Sequence, residues 1–247
     1  MTHDRGWPVY TVRPTGPAPV AGALVYLLGG GWVDQVSPFH WFLVAEIAAG
    51  AGVVVTVPVY PLVPFGTAGE VCERVAELVR ADRERHGPTG LAGDSAGGQI
   101  ALSAAMRLRD EGVVLPVTTL ISPALDLTWS NPRIPEVQPS DPWLGSQGGA
   151  VLAEAWRGDL PLTDPAVSPL LGDVTGLGPL TVWSGTRDVL NPDAHLLVDR
   201  ARAAGVDVTF HEGPGQLHVY ALLPTRTGRD ATATIVSSVR EALARRP

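Results

Sequence analysis

The hexapeptide Gly93-Asp94-Ser95-Ala96-Gly97-Gly98 decides how this chain of 247 residues folds. The short apolar run 89–92 precedes it, and a helix-like segment follows it as far as Glu111. This order predicts a strand, a sharp turn and a helix, with a serine at the apex of the turn. A serine at such a corner has a strained backbone, so the residues two positions away on either side must be small. Both are glycine.

The Gly-x-Ser-x-Gly spacing is that of a nucleophile elbow. Such an elbow exposes the Ser95 hydroxyl above the edge of a sheet and places the Ala96 amide at a helix N-terminus, where it can donate to developing negative charge. A glycine-rich chain also produces this spacing by chance, and Ser95 or Asp94 would then only cap the helix. The positions of partner residues therefore decide between the two interpretations.

The composition excludes several classes of chemistry. All 18 basic residues are arginine, which excludes Schiff-base chemistry, a Walker phosphate loop and a Ser-Lys dyad. A formal net charge of −7 without basic clusters argues against nucleic acid and acidic membranes as partners. Cys72 is the one cysteine, so neither an internal disulfide nor a cysteine-rich metal site can form.

A length of 247 residues fits one α/β domain as well as two smaller ones, and we favour one domain over residues 1–247. The first residues lack the basic-then-apolar order of a secretion signal, and the apolar run 21–28 is too short to span a bilayer. We therefore expect a cytoplasmic protein that does not enter membranes. The sequence does not set the oligomeric state and leaves a homodimer open.

Strands and helices are predicted to alternate along the chain. The predicted strands are 9–13 at an edge, 21–28, 52–58, 89–92, 117–121, 180–183 and 206–211, with a turn at 15–19. Five helices are predicted. The first begins at Ser37-Pro38, the second contains the apolar positions 71–79 and ends at Gly87-Pro88, and the third follows Ser95. The fourth begins at Asn191-Pro192, and the fifth covers 235–243. This alternation predicts an α/β fold with a mostly parallel sheet, helices on both faces, and chemistry at the carboxyl ends of the strands.

Residues 125–177 form a long segment that is rich in proline and is predicted to be irregular. Insertions of this kind in a single domain are usually lids or binding loops. The alternative is a structural excursion without a role in binding.

A candidate nucleophile, acid and base each follow a predicted strand. A serine hydroxyl needs a base to take its proton, and a buried carboxylate keeps that base in the right tautomer. His218 lies in the loop after the last strand, where it can reach Ser95, and Asp188 directly follows a strand. The chain order Ser95, Asp188, His218 is that of α/β-hydrolases.

Other acids and histidines fit ordinary structural roles better. Asp193 suits the first turn of a helix, and Asp94 is too close to Ser95 in sequence to stand behind His218. The histidines at 3, 86, 195 and 211 fit tails, helix surfaces or strand packing. His40 competes most strongly for the role of base, but its place in the first turn of a helix suggests that it lines a pocket.

The three glycines at 29–31 supply the candidate oxyanion hole. Backbone amides can face a site where no side chain blocks them, so Gly30 and Gly31 are expected to donate beside Ala96. A simple glycine turn is the alternative. The residues expected to line the substrate pocket are Trp32, Phe39, His40, Trp41 and Trp143, although tryptophans in loops also serve as core anchors.

Together these residues resemble the hormone-sensitive-lipase-like branch of the α/β-hydrolases, which contains many bacterial carboxylesterases. The likeness runs from about Ala21 to the C-terminus. Its pieces are Gly29-Gly30-Gly31-Trp32, Tyr60-Pro61-Leu62-Val63-Pro64, the elbow, Asp188-Val189-Leu190 and Leu217-His218. The resemblance implies hydrolysis of small-molecule esters with small or medium acyl chains through an acyl-Ser95 intermediate, and it implies no metal and no cofactor.

Two features depart from the family pattern. Leu28 stands where the family usually has histidine, which removes a side-chain anchor of the glycine loop but leaves its backbone donors. The family also tends to carry a longer segment before the glycines than the 28 residues found here, so we expect a reduced cap at about 125–177 and an open pocket. Amide or lactone hydrolysis and a receptor-like protein that only binds small molecules are the alternative functions.

Overall fold

The computed structural model describes residues 1–16 and 20–245, so the turn predicted at 15–19 falls partly outside the described residues. The strands are β1 (Thr2–Asp4), β2 (Trp7–Val12), β3 (Ala23–Leu27), β4 (Val54–Pro58), β5 (Thr89–Asp94), β6 (Thr118–Ile121), β7 (Leu180–Gly185) and β8 (Val208–Gly213). The α-helices are α1 (Pro38–Ala51), α2 (Ala68–His86), α3 (Ala96–Asp110), α4 (Ile134–Val137), α5 (Ser146–Trp156), α6 (Asn191–Ala203) and α7 (Arg226–Ala244).

These strands form one sheet in the order β1-β2-β4-β3-β5-β6-β7-β8. β2 pairs antiparallel with β1 and β4, and the pairs from β4 to β8 are parallel, which confirms the predicted mostly parallel α/β sheet. The strand predicted at 9–13 is not the edge, because Thr2 pairs outside it with Val9. The chain leaves β3 toward β4 and returns to β5 on the other side, and ligand sites form at such switch points.

Helices cover both faces of the centre of the sheet, and every residue of β3 and β5 is therefore buried. α1 packs against α7, and α2 packs against α3. Leu24, Leu27 and Leu91 are completely shielded from solvent, and burial of each leucine stabilises the fold by roughly 1.5–3 kcal/mol. Among the helices of the described residues, none combines the length and apolar character needed to cross a bilayer.

Residues 125–177 are less irregular than predicted, because they contain α5, a helix of 11 residues. Gly148 and Gly149 lie in this helix, and glycine lowers helix propensity, which hid the helix from sequence inspection. Tertiary packing explains Gly149, since a Cβ atom there would lie 1.9 Å from the ring of Trp129. The missing side chain lets that indole lie directly against the helix.

We predict that Gly97→Ala destabilises the protein. A Cβ atom at position 97 would lie 2.1 Å from the carbonyl oxygen of Leu27, and relief of such overlap typically costs about 1–3 kcal/mol. Gly148→Ala is the matched control, because nothing lies within 4 Å of a Cβ atom there and alanine favours a helix. Urea denaturation should show a loss for Gly97→Ala alone, and equal stabilities would contradict the packing.

Candidate active site

Ser95 joins β5 to α3 in a strained conformation, with φ 51° and ψ −119°. Its amide donates to the carbonyl of Ile121 at 2.9 Å, and its carbonyl accepts from the amide of Ala124 at 3.1 Å. Gly93 is needed for the turn, because a Cβ atom there would lie 2.3 Å from the carbonyl oxygen of Gly97. The end of β6 and the two glycines thus hold the serine in a conformation that would otherwise be unfavourable.

The structure brings His218 and Asp188 to Ser95, as the sequence predicts. His218 Nε2 lies 2.9 Å from Ser95 Oγ, and His218 Nδ1 lies 2.9 Å from Asp188 Oδ2. Because Nδ1 faces a carboxylate, we assign the proton to Nδ1, which leaves Nε2 to accept the serine proton. Asp188 is fully buried, and its Oδ1 accepts from the Leu190 amide at 2.9 Å.

The surroundings of His218 raise its pKa above the ordinary 6.5. Burial alone would lower this pKa, but the charge of Asp188 and its hydrogen bond favour the imidazolium and raise the pKa. The carboxylates of Asp94 and Asp141 raise it further. These surroundings therefore stabilise the protonated form of His218.

The amides of Gly30, Gly31 and Ala96 are the candidate oxyanion donors. Gly30 and Gly31 have φ of 123° and 57°, values in the region that glycine favours. Within the described residues, no acceptor is hydrogen-bonded to any of the three amides. Gly31 and Ala96 line the same cavity as Ser95, so a carbonyl oxygen of a bound substrate would lie near unpaired donors.

Hydrogen bonds to buried polar groups anchor the glycine loop, which follows Leu28. Asp94 Oδ1 accepts from the Gly29 amide at 3.1 Å and from the Tyr26 hydroxyl at 2.8 Å. The Tyr60 hydroxyl donates to the Leu28 carbonyl at 2.6 Å. Burial, with the charge of Asp94, raises the pKa of both phenols, so both hydroxyls keep their protons and act as donors.

Phe39, His40 and Trp41 do not line the cavity beside Ser95, contrary to the expectation. His40 Nδ1 accepts from the Ser37 amide at 3.0 Å, so Nε2 carries the proton that faces Asp94 Oδ2 at 3.2 Å. His40 therefore supports the elbow through its hydrogen bond to Asp94. The Trp41 ring packs edge-on against Tyr10, and Phe39 lines a separate surface cavity, because the first turn of α1 faces β2 and α7.

A cavity of about 210 Å³ lies beside Ser95, and its lining is mainly apolar. Trp32 and Trp143 line it as expected, while the other lining residues include Ala124, Trp129, Leu144, Gly145, Gly148, Gly149, Leu152 and Leu190. Most of this wall comes from residues 125–177, where the sequence predicted a cap but assigned only Trp143 to the pocket. Larger cavities elsewhere in the described part of the chain contain neither Ser95 nor His218.

The competing acids and histidines have other partners. Asp193 lies in the first turn of α6, accepts from Asn131 Nδ2 at 2.7 Å, and has its pKa raised to about 6 by burial. His195 pairs with Glu212 at 2.7 Å, and His211 stacks on Trp183. Across residues 1–16 and 20–245, no three His, Cys, Asp or Glu side chains are grouped so that they could hold a metal ion.

Residues 24–222 match the model of a family described as having the alpha/beta hydrolase fold. This chain belongs to that family. The match covers the glycine loop, the elbow, Asp188 and His218, and it agrees with the sheet order and the strand-to-helix position of the serine.

Curated relatives and solved structures include ester-cleaving enzymes. The chain is 35% identical over 227 residues to a triacylglycerol lipase from Mycobacterium tuberculosis, which covers 90% of this chain and 46% of the lipase. It is 33% identical over 201 residues to an acetyl-hydrolase from Streptomyces hygroscopicus, which covers 80% of this chain and 67% of that protein. The chain thus spans about half the length of the lipase and two thirds of the acetyl-hydrolase.

Among solved structures, an esterase from the bacterial hormone-sensitive lipase family superposes with a TM-score of 0.85. It is 27% identical, and the superposition covers 98% of this chain and 87% of that one. This similarity confirms the branch of the family that the sequence motifs indicate.

We predict that Asp94→Asn lowers both stability and turnover. The carboxylate accepts three hydrogen bonds, whereas an asparagine would turn its amide group toward one of the donors. The free energy of unfolding should fall by about 2 kcal/mol. Urea denaturation and kcat should both change, while Asp34→Asn, an exposed neighbour of the glycine loop, should change neither. Normal turnover in Asp94→Asn would contradict this anchoring.

We predict that kcat/KM for an ester rises with pH through an inflection above 6.5. The base must be neutral to accept a proton, and the raised pKa of His218 means that its imidazolium persists to higher pH. The pH dependence of kcat/KM measures this in the free enzyme. An inflection below 6.5, or a flat profile between about pH 6 and 7.5, would contradict the assignment.

Proposed function

We propose that this protein is a serine carboxylesterase that hydrolyses esters with small or medium acyl chains. The observation that carries the proposal is the chain of hydrogen bonds from Asp188 through His218 to Ser95, at the edge of an apolar cavity. The named activities of the relatives, a lipase, an acetyl-hydrolase and an esterase, support ester cleavage. The intact hydrogen-bonded chain favours catalysis over ligand binding alone.

In the first half of the reaction, Ser95 Oγ bonds to the carbonyl carbon while His218 Nε2 takes the hydroxyl proton. The carbonyl oxygen becomes an oxyanion, which would accept hydrogen bonds from the amides of Gly30, Gly31 and Ala96. One such donor typically contributes roughly 10²–10³ in turnover. The intermediate collapses, the ester C–O bond breaks, and His218 returns the proton to the leaving alcohol.

In the second half, a water molecule attacks the acyl-Ser95 carbonyl, and His218 again accepts a proton. Collapse of the second oxyanion breaks the bond to Ser95 Oγ and releases the carboxylic acid, and His218 returns its proton to Oγ to restore the hydroxyl. Asp188 stabilises the imidazolium in both halves and keeps the proton on Nδ1. The raised pKa of His218 agrees with this role.

Residues 125–177 act in this proposal as a reduced cap that supplies the acyl pocket. Cavities that bind drug-sized ligands usually measure about 300–1,000 Å³, so a cavity of about 210 Å³ favours short acyl chains. Trp143, Leu144 and Leu152 contribute apolar surface opposite Ser95. A cytoplasmic location stays a prediction from the sequence, which leaves a homodimer open.

The test is hydrolysis of p-nitrophenyl esters from acetate to octanoate by the wild type, Ser95→Ala and Ser237→Ala. Loss of the nucleophile should lower turnover by roughly 10⁴-fold or more. Ser237 bonds to Glu241 on α7, so its variant should retain full activity. Activity that survives in Ser95→Ala, or a folded wild type without activity on any ester, would contradict the proposal. A rate that rises steadily to octanoate would contradict the short-chain pocket.

A further inference from the structure

We propose that Asp141 is a positioning residue that fastens the wall of the acyl pocket to the turn that carries Asp188. The inference rests on the proposed function, because it assigns Asp141 a part in the same site. Asp141 does not touch the reacting atoms. It acts through the backbone of residues that line the cavity or flank the acid.

One oxygen of Asp141 holds the pocket wall. Asp141 Oδ1 accepts from the amides of Trp143 at 2.9 Å and Leu144 at 3.0 Å, and both residues line the cavity beside Ser95. Gln138 reinforces the segment, because its side chain donates to the Leu144 carbonyl and accepts from the Ser146 amide. The stretch from 138 to 146 is thus a hydrogen-bonded unit that leads into α5.

The other oxygen of Asp141 holds the acid turn. Asp141 Oδ2 accepts from the amide of Val189 at 2.8 Å, and Val189 directly follows Asp188. On the other side of the acid, Arg187 Nε donates to the Ser140 carbonyl at 3.2 Å. The backbone on both sides of Asp188 is therefore bonded to the segment that forms the pocket wall.

Burial makes these bonds strong. The Asp141 residue is 9% exposed, and hydrogen bonds from amides to a charged, shielded acceptor are among the stronger ones in proteins. Replacement by asparagine separates the two halves of the link. The amide oxygen can still accept from Trp143 and Leu144, but the amide nitrogen would face the Val189 amide, donor against donor.

Asp141 also acts on His218 through its charge. The carboxylates that raise the pKa of His218 come from three parts of the chain, Asp188 after β7, Asp94 at the end of β5 and Asp141 in the cap. Asp141→Asn removes one of these charges and leaves the other two. A role confined to packing would leave the ionisation of His218 unchanged.

The test compares the wild type, Asp141→Asn and Asp164→Asn. Asp164 is the matched control, because its Oδ1 accepts from the Ala166 amide at 2.8 Å in the same segment but beside a different cavity. For Asp141→Asn we expect kcat on p-nitrophenyl acetate to fall roughly tenfold, since small displacements of catalytic groups are costly. The preference for acetate over octanoate should weaken, and the inflection of kcat/KM should move to lower pH.

Asp164→Asn should leave kcat, chain-length preference and the pH profile as in the wild type. Equal behaviour of the two variants, or a wild-type pH profile in Asp141→Asn, would overturn the proposal. If Asp141→Asn does not fold, Val189→Pro removes the amide donor and leaves the carboxylate in place. Wild-type kcat in Val189→Pro would overturn the positioning role.

A readout without turnover separates this inference from the proposed function. The proton on His218 Nδ1 faces a carboxylate and should give a low-field ¹H NMR signal. Its titration should move to lower pH in Asp141→Asn and stay in place in Asp164→Asn. An inactive wild type would refute the proposed esterase activity alone. An unchanged titration of His218 in Asp141→Asn would refute the role of Asp141, whatever the activity.

Discussion

The close approach of three backbone segments around Gly93 and Gly97 sets the geometry of the whole site. A side chain at Gly93 would overlap the carbonyl of Gly97, and a side chain at Gly97 would overlap the carbonyl of Leu27. Because that contact joins the end of β3 to the start of α3, the glycine loop and the serine lie at one switch point of the sheet. The strained φ of Ser95 is a consequence of this packing, which holds its hydroxyl at the edge of the sheet.

Buried carboxylates connect this edge to the rest of the molecule. Asp94 bonds the elbow to the glycine loop, Asp188 bonds to His218, and Asp141 bonds the segment 138–146 to the turn that carries Asp188. All three raise the pKa of His218, so elements far apart in the chain act on one imidazole. The same side chains that fix the backbone thus favour the positive charge that the proposed reaction develops on His218.

Local sequence signals were sufficient for the fold and for the three residues at the centre of the site. Apolar runs ending in Gly or Ser and the elbow motif locate β3, β5 and Ser95, since these features depend on neighbours in sequence. The anchors were not predictable, because Asp94 meets a Gly29 amide 65 residues away and Asp141 meets a Val189 amide 48 residues away. In both contacts the donor is a backbone amide, which every residue except proline has, so no residue type in the sequence marks the partner.

The directions of the side chains were the second feature that could not be predicted from the sequence. The place of His40 in the first turn of a helix suggested a pocket position, but α1 directs the side chains of 39–41 to Asp94, Tyr10 and the α7 side. The pocket wall lies instead on α5 and the loop before it, where two glycines masked the helix. Tertiary packing, with Ala153 and Trp156 buried and Gly149 against Trp129, offsets the low helix propensity of these glycines.

Covalent capture of the nucleophile tests the central claim most directly. Diethyl p-nitrophenyl phosphate should add one diethylphosphoryl group to the intact protein, and trypsin should place it on Ser95 within peptide 86–107 and not on Ser103. His218→Ala, shown to be folded, should slow this labelling by roughly 10²-fold or more. An adduct on another residue, or equal labelling rates with and without the imidazole, would contradict a Ser95 nucleophile activated by His218.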